Sequence, residues 1–355
     1  MRKVALFLLT VLFIFIAVSA LGETSQGDTL ILSFVGDCSI GDSFSTRNYD
    51  KGYAKTVEKN GFDWPFSLVR SYLDADDVTV ANLEVVFTTG KKQANKGMNL
   101  VADPKYAQVL LHSGVDVVNT ANNHSFDFWA AGYQESMKTL DDAGISHFGT
   151  ISPGTVSMTD TILAYDVKGI KIGFVGFTYP QDSDIKRIEK RIQSLRDQGC
   201  NLVIASLHWG RELRTAPSSW QYSYAKKILD LGADVIYGHH PHILQPVQFY
   251  KGKPIFYSLG NFTFGTMGRA DPDTGIFQLR YSLTKEGPEL INFAVIPCRT
   301  QGTGDYRPYE IKEETERQAM LKKLVFRKET RGMQNLPESF IQTGSVDFAN
   351  GDVVK

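Results

Sequence analysis

Gly238-His239-His240-Pro241-His242 packs three of the chain's seven histidines directly behind the apolar β-type run Val235-Ile236-Tyr237. Imidazole is the commonest nitrogen ligand for metals and the side chain that titrates nearest neutral pH, so such a group points to cation binding or proton transfer. In open α/β folds the site lies beyond the carboxyl ends of the strands, where this cluster falls. A polar turn that happens to hold histidines is the bland alternative, and other strand ends decide between them. Asp37 follows Thr29–Val35, Glu84 follows Val78–Leu83, Asn123 follows Val115–Thr120 and His208 follows Asn201–Leu207, each run being apolar and β-rich. Singly, Asp37 reads as a turn former, Glu84 as a solvated charge and Asn123 as a cap. Jointly, Asp37, Glu84, Asn123, His208, His239, His240 and His242 form a mixed carboxylate, amide and imidazole set suited to two divalent cations. Mn²⁺, Fe²⁺ or Zn²⁺ accept this mixture, whereas Mg²⁺ or Ca²⁺ favour nearly all-oxygen ligands. Two such cations about 4 Å apart polarise a phosphoryl oxygen and generate hydroxide.

His124 follows Asn123, and Asp127 is near enough to orient its ring and raise its pKa, which describes a general acid. The alternative is a histidine that caps the next helix. Arg211 carries a guanidinium fork for a phosphate or carboxylate, or else a surface ion pair. Asn261, at the end of a later strand, lines the pocket or satisfies a turn. His112 and His147 have no partners in sequence and read as structural.

These residues need a scaffold that brings strand ends together. Helical spacing over Pro104–His112, Trp129–Ala143, Asp182–Gln198 and Ser218–Leu231 alternates with the strands already named, and Lys168-Gly169 marks a hairpin between Ile162–Val167 and Ile170–Val175. Pro254–Ser258, Ile276–Leu283 and Leu290–Ile296 read as antiparallel strands, followed by a charged helix over Ile311–Arg327 and a loose polar tail. Alternating βα units followed by β-rich segments predict stacked sheets with helices outside. The expected division is a leader over residues 1–22, one domain over 29–300, and a helix with tail over 301–355.

The 38 basic and 39 acidic residues leave a formal charge of −1, which excludes the basic footprint of a nucleic-acid binder. Arg2 and Lys3 precede the apolar run Val4–Val18 and the small residues Ser19, Ala20 and Gly22, a secretory signal pattern that also nearly reaches spanning length. A cleaved signal and an uncleaved anchor both fit, and each places the folded part outside the cytoplasm. Cys38, Cys200 and Cys298 are scattered and odd in number, so no disulfide framework is expected.

Val35-Gly36-Asp37, Asn82-Leu83-Glu84, Asn122-Asn123-His124 with Asp127, His208-Trp209-Gly210, Gly238-His239-His240-Pro241-His242 and Ser258-Leu259-Gly260-Asn261-Phe262 together resemble the CapA-like family of poly-gamma-glutamate capsule biosynthesis proteins, related to calcineurin-like metallophosphoesterases. The resemblance spans roughly Leu30–Phe264. It implies a four-layer α/β/β/α sandwich with a dinuclear site, His124 as proton donor and two of the clustered histidines as ligands. A His-x-x-His pairing of His239 with His242 and a His-x-His pairing of His240 with His242 both fit. The chain carries Ser39 where the phosphoesterases have histidine and Glu84 where they have aspartate.

The function expected is an extracytoplasmic metal-dependent hydrolase acting on a phosphoester or an amide-linked anionic polymer, with membrane-bound capsule synthesis machinery as a partner. The alternative is a non-catalytic assembly or tethering component that grips the polymer's carboxylates in the same cleft. A peptidoglycan or exopolysaccharide binding module, suggested only by export and by Trp64 and Trp220, ranks last.

Overall fold

The computed structural model describes residues 29–151, 159–265, 270–326, 330 and 332–348, and the Val4–Leu21 segment lies outside them. Thr29–Ser39, Val78–Leu83 and Val117–Asn119 run parallel in one half of the strand ladder. Asp273–Thr284, Gly287–Thr300 and Pro308–Glu310 extend that half antiparallel. Ile170–Thr178, Leu202–His208, Val235–His239 and Lys253–Phe256 form the parallel core of the other half. The halves join at Ser146–Ile151, which pairs with Val117–Asn119 on one side and meets Ile170–Thr178 at the single register point Phe177↔Thr150.

Side-chain alternation shows how these halves stack. Leu30, Leu32, Phe34, Val78, Val80 and Val117 from one half share a core with Ile172, Phe174, Leu202, Ile204, Val235 and Tyr237 from the other. The residues between them face outward. Ala81, Leu83 and Val118 pack with Val57, Leu73, Leu110 and Leu140 from helical segments on one outer face. Val175, Val203, Ala205 and Ile236 pack with Ile188, Ile192, Leu195, Ala225 and Ile228 from Ile185–Asp197 and Ser219–Asp230 on the other. Because successive strand residues point to opposite faces, three apolar layers between four structural layers are what this pattern requires. The architecture is therefore the expected α/β/β/α sandwich.

The carboxyl-terminal part differs from expectation. Lys253–Phe256 is parallel to Val235–His239 and antiparallel only to Val247–Tyr250, a strand that periodicity did not reveal. The charged helix is shorter, Glu314–Lys322, and the segment read as a loose tail carries Ser345–Asp347 paired to Asn292–Ala294. Met320, Leu321, Leu324, Phe340 and Val346 bury in the inter-sheet core, which covers an otherwise open edge of apolar surface. Sparse anchors in a polar stretch give no periodic signal. The three cysteines are buried and free.

Tyr237 ties the sheets together across the core: its hydroxyl donates to the Val35 carbonyl of the opposite sheet and lies 3.3 Å from the Val80 carbonyl. At the amino ends of the strands, Asp77 and Asp116 accept the backbone N–H groups of Ile31 and Thr79, each at 2.8 Å. Burial, together with neighbouring Asp116 and Asp77, pushes the Asp76 carboxyl up to about 7.

Replacing Tyr237 by Phe should leave the Val35 carbonyl unpaired in a dry core and cost about 1–3 kcal/mol, read as a lower urea midpoint at unchanged slope. Asp76 holds a proton in the folded chain that the unfolded chain, with a carboxylate pKa near 4, has already lost. Its contribution is therefore present below about pH 4 and is lost as pH rises through about 7. Asp76→Asn should accordingly melt higher than the parent at pH 8, and this advantage should shrink towards pH 4.

Candidate metal centre

The alternation that builds the core also aims the polar strand ends. Val78, Val80 and Asn82 share one face, as do Val117 with Asn119, Leu202, Ile204, Ser206 and His208, and Val235, Tyr237 and His239. The inter-sheet layer thus ends in a polar cap. On the first strand the register runs Phe34↔Val80 and then Asp37↔Asn82, so one extra residue is inserted opposite the partner. This bulge returns Asp37 to the inner face and sends Cys38 into the outer core. Gly36 permits it, because a Cβ there would lie 2.1 Å from the Gly260 carbonyl oxygen. Gly238 plays the same part for the histidine cluster, since a Cβ would lie 2.2 Å from the Tyr257 carbonyl oxygen and 2.6 Å from the Trp209 indole nitrogen that bonds to it.

Asp37, Glu84 and His208 each present a donor atom within 4.8 Å of the others, and so do Glu212, His240 and His242. Glu84 Oε1 lies 3.8 Å from His124 Nε2, 3.9 Å from His208 Nε2 and 3.8 Å from His242 Nε2. Those separations are too long for hydrogen bonds, and this oxygen has no partner although it is buried. Asp37 Oδ2 is 3.3 Å from His242 Nδ1 and Asp37 Oδ1 is 3.6 Å from His239 Nδ1. The Nδ1 atoms of His208, His239 and His240 are likewise buried without a hydrogen-bond partner. His208 Nε2 donates to Asn123 Oδ1 at 2.9 Å, which leaves its Nδ1 as the lone-pair nitrogen.

Several groups hold this set in place. Asn82 Nδ2 donates to Asp37 Oδ1 at 2.8 Å and lies 3.4 Å from Glu84 Oε2, while Asn82 Oδ1 accepts from Asn119 at 2.9 Å. Ser206 Oγ is 2.9 Å from His239 Nε2, the Tyr179 hydroxyl is 2.6 Å from His240 Nε2, and Asn261 Oδ1 accepts from His242 Nδ1 at 2.9 Å. Asp127 Oδ2 sits 2.6 Å from His124 Nδ1, and Asp127 also accepts from Leu100 N and pairs with Lys96 at 2.5 Å. Lys96 reaches the Asn123 carbonyl at 2.9 Å as well.

Electrostatics follow from the burial of two carboxylates together. Burial raises Glu84 well above the carboxylate range, and the charge of Asp37 adds to it. Burial opposes ionisation of Asp37 too, but the hydrogen bond and charge of His242, with His239 and Asn82, hold it below its usual value. His242 answers the two acids: burial lowers it, yet Glu84, Asp37 and Asn261 carry it up to about 10. Burial brings His239 and His240 down to about 4 and takes His208 well below the usual range. For His124 burial outweighs the Asp127 contact and Lys96 adds to the lowering, so its net shift is down, not up as the Asp127 pairing alone predicted.

Buried carboxylate oxygen and neutral imidazole lone pairs converging without protein partners fit a divalent cation of the borderline class. All of Asp37, Glu84, Asn123, His124, Asp127, His208, His239, His240, His242 and Asn261 come to this end of the sandwich. Asn261 is buried and contacts His242, whereas Arg211 is exposed beside the cluster. His112 and His147 lie apart, paired with Asp63 and Asp141. Sequence reasoning missed Asn82, Asn119, Lys96, Ser206, Tyr179 and Glu212 as members of the site. Asn82 and Ser206 stand two residues before Glu84 and His208, and Asn119 two residues after inward-facing Val117, so strand parity was the available signal. Tyr179 directly follows the strand Ile170–Thr178 and so shared the strand-end signal, whereas Lys96 gave none.

The fold and this cluster define an α/β sandwich with a group able to hold a metal at the strand carboxyl ends. The chain belongs to the bacterial capsule synthesis protein family PGA_cap, which it matches over residues 31–266. It is 30% identical over 285 residues to the PGA biosynthesis protein CapA of Bacillus subtilis, covering 75% of this chain and 70% of that one. It is 29% identical over 299 residues to the capsule biosynthesis protein CapA of Bacillus anthracis, covering 78% and 69%. Among solved structures it is similar to a putative 5'-nucleotidase from Staphylococcus aureus, with a TM-score of 0.45 and 11% identity over 86% of this chain and 57% of that one.

Asn82 contacts both acids. Its replacement by Ala should lower Mn²⁺ or Zn²⁺ affinity roughly 10–100-fold in a calorimetric titration, with the far-ultraviolet spectrum unchanged.

Proposed function

We propose that this chain is an extracytoplasmic, metal-dependent hydrolase of capsule or poly-gamma-glutamate biosynthesis, acting on a phosphoester or on the amide-linked polymer itself. The observation that carries this reading is the buried, unpartnered Glu84 Oε1 in one cluster with the equally unpartnered Nδ1 atoms of His208, His239 and His240. Asp37, Glu84, Asn123 and His208, with His242 after it gives up the proton that the two acids favour on it and either His239 or His240, would hold two cations of the Mn, Fe or Zn kind. Bound there, they supply Lewis acidity towards a phosphoryl or carbonyl oxygen and acidify water. Asp127 keeps one proton on His124 Nδ1, so Nε2 is the atom that takes up and delivers the second proton to a leaving group. The partners proposed are the anionic polymer and a membrane-bound synthesis machinery. The Val4–Leu21 run supports export or anchoring; no helix among the described residues is long and apolar enough to cross a membrane.

A second reading, a non-catalytic assembly or tethering component, is favoured by Ser39. Its hydroxyl is buried without a partner where the related phosphoesterases carry histidine, so one cation position has a ligand fewer.

Metal analysis of the chain lacking residues 1–22, with assays on bis(p-nitrophenyl) phosphate and polyglutamate, tests the proposal. Bound metal with turnover is expected. His208→Ala should lose metal, and His124→Ala should keep it while kcat falls about 10²–10⁴-fold. Metal without turnover of either substrate would support tethering, and a chain that binds no metal overturns the hydrolase.

A further inference from the structure

Next to the cluster lies a cavity of about 540 Å³ whose lining includes Tyr179, Arg211, Arg214, Ser218, Trp220 and Gln221. That volume is in the range of small-ligand pockets. Tyr179 belongs to both places, since its hydroxyl contacts His240 Nε2 at 2.6 Å. No carboxylate lines the cavity, so Arg211 and Arg214 are its charged groups, and neither guanidinium has an ion-pair partner among the described residues.

Gln221 gives the independent sign of a ligand. Its side chain is 1% exposed, and its Oε1 accepts from Ser218 N at 3.0 Å to close the capping box of the Ser219–Asp230 helix. Its Nε2 has no partner and lies 2.8 Å from where a Cβ on Gly210 would sit. A buried amide donor left unsatisfied costs free energy that an acceptor would recover. Two free guanidiniums, a free N–H donor and the positive end of a 12-residue helix all call for the same kind of acceptor.

We propose that this cavity is an oxyanion subsite, holding a carboxylate or phosphate group of the substrate through Arg211, Arg214 and Gln221, with Trp220 as its apolar wall. That the group is a neighbour of the bond presented to the metal cluster rests on the hydrolase reading; the preference for an oxyanion does not.

The test is calorimetric titration of the whole chain with two probes, a γ-linked glutamate decamer and tripolyphosphate. Gln221→Glu keeps an oxygen for the Ser218 cap, since Glu serves a capping box as well as Gln, and replaces the donor with a negative charge. Arg214→Ala removes an exposed cation. Each variant should weaken at least one probe tenfold or more, Arg214→Ala, a change at an exposed position, while melting within about 2 °C of the parent, and the probe affected identifies carboxylate or phosphate. If neither probe binds the parent, or both bind the variants as tightly, the subsite is overturned. Turnover is not read. A chain that hydrolyses nothing yet loses the probe on Arg214→Ala keeps the subsite and drops the hydrolase, and the opposite pattern separates them the other way.

Discussion

Two fully buried carboxylates, Asp37 and Glu84, close the end of an otherwise apolar layer between the sheets, and their charge must be compensated there. Ionised groups in such surroundings are costly unless paired. The chain answers with an amide that bonds to both acids, a histidine between them whose pKa they raise, and four further imidazoles whose pKa burial lowers. The result is compensated for Asp37, whereas Glu84, whose pKa burial raises, keeps an unpartnered Oε1.

The backbone bears part of the cost. Tyr179, His240 and His242, with φ of 41°, 94° and 57°, occupy the left-handed region that side chains other than glycine avoid, and Trp129 and Leu213 do so nearby at 58° and 59°. Each such residue costs on the order of 1–3 kcal/mol. Lys168 and Lys251, which share the conformation, sit in tight hairpin turns before glycine, where it serves chain reversal. Around the cluster it has no such service. It turns successive histidines of one short segment towards different walls, so that His239 faces Asp37, His240 faces Tyr179 and His242 lies between both acids.

Reading the chain as a sequence recovered the central strands and the longer helices, because buried strands form apolar β-rich runs and one-sided helices carry an apolar period of about four. It located the ligand-type residues because they interrupt those periods at strand ends. It did not recover Ser146–Ile151, which joins the halves, or Val247–Tyr250, or the role of Ser345–Asp347, because short strands and a few anchors in a polar segment carry too little period to register. Nor did it find Lys96, which reaches the site from the loop before Leu100, or Tyr179, one residue past the end of Ile170–Thr178.

The sequence by itself determined stacked sheets with helices outside, through the order of its β and α segments, and the chemistry of the cluster, through the types of side chain that end those strands. Only the tertiary structure decided which atoms meet. The bulge at Gly36 reverses the parity of Asp37, and burial reverses the shift expected for His124 beside Asp127. Both effects depend on what packs against a residue from elsewhere in the chain, and local spacing holds no record of that.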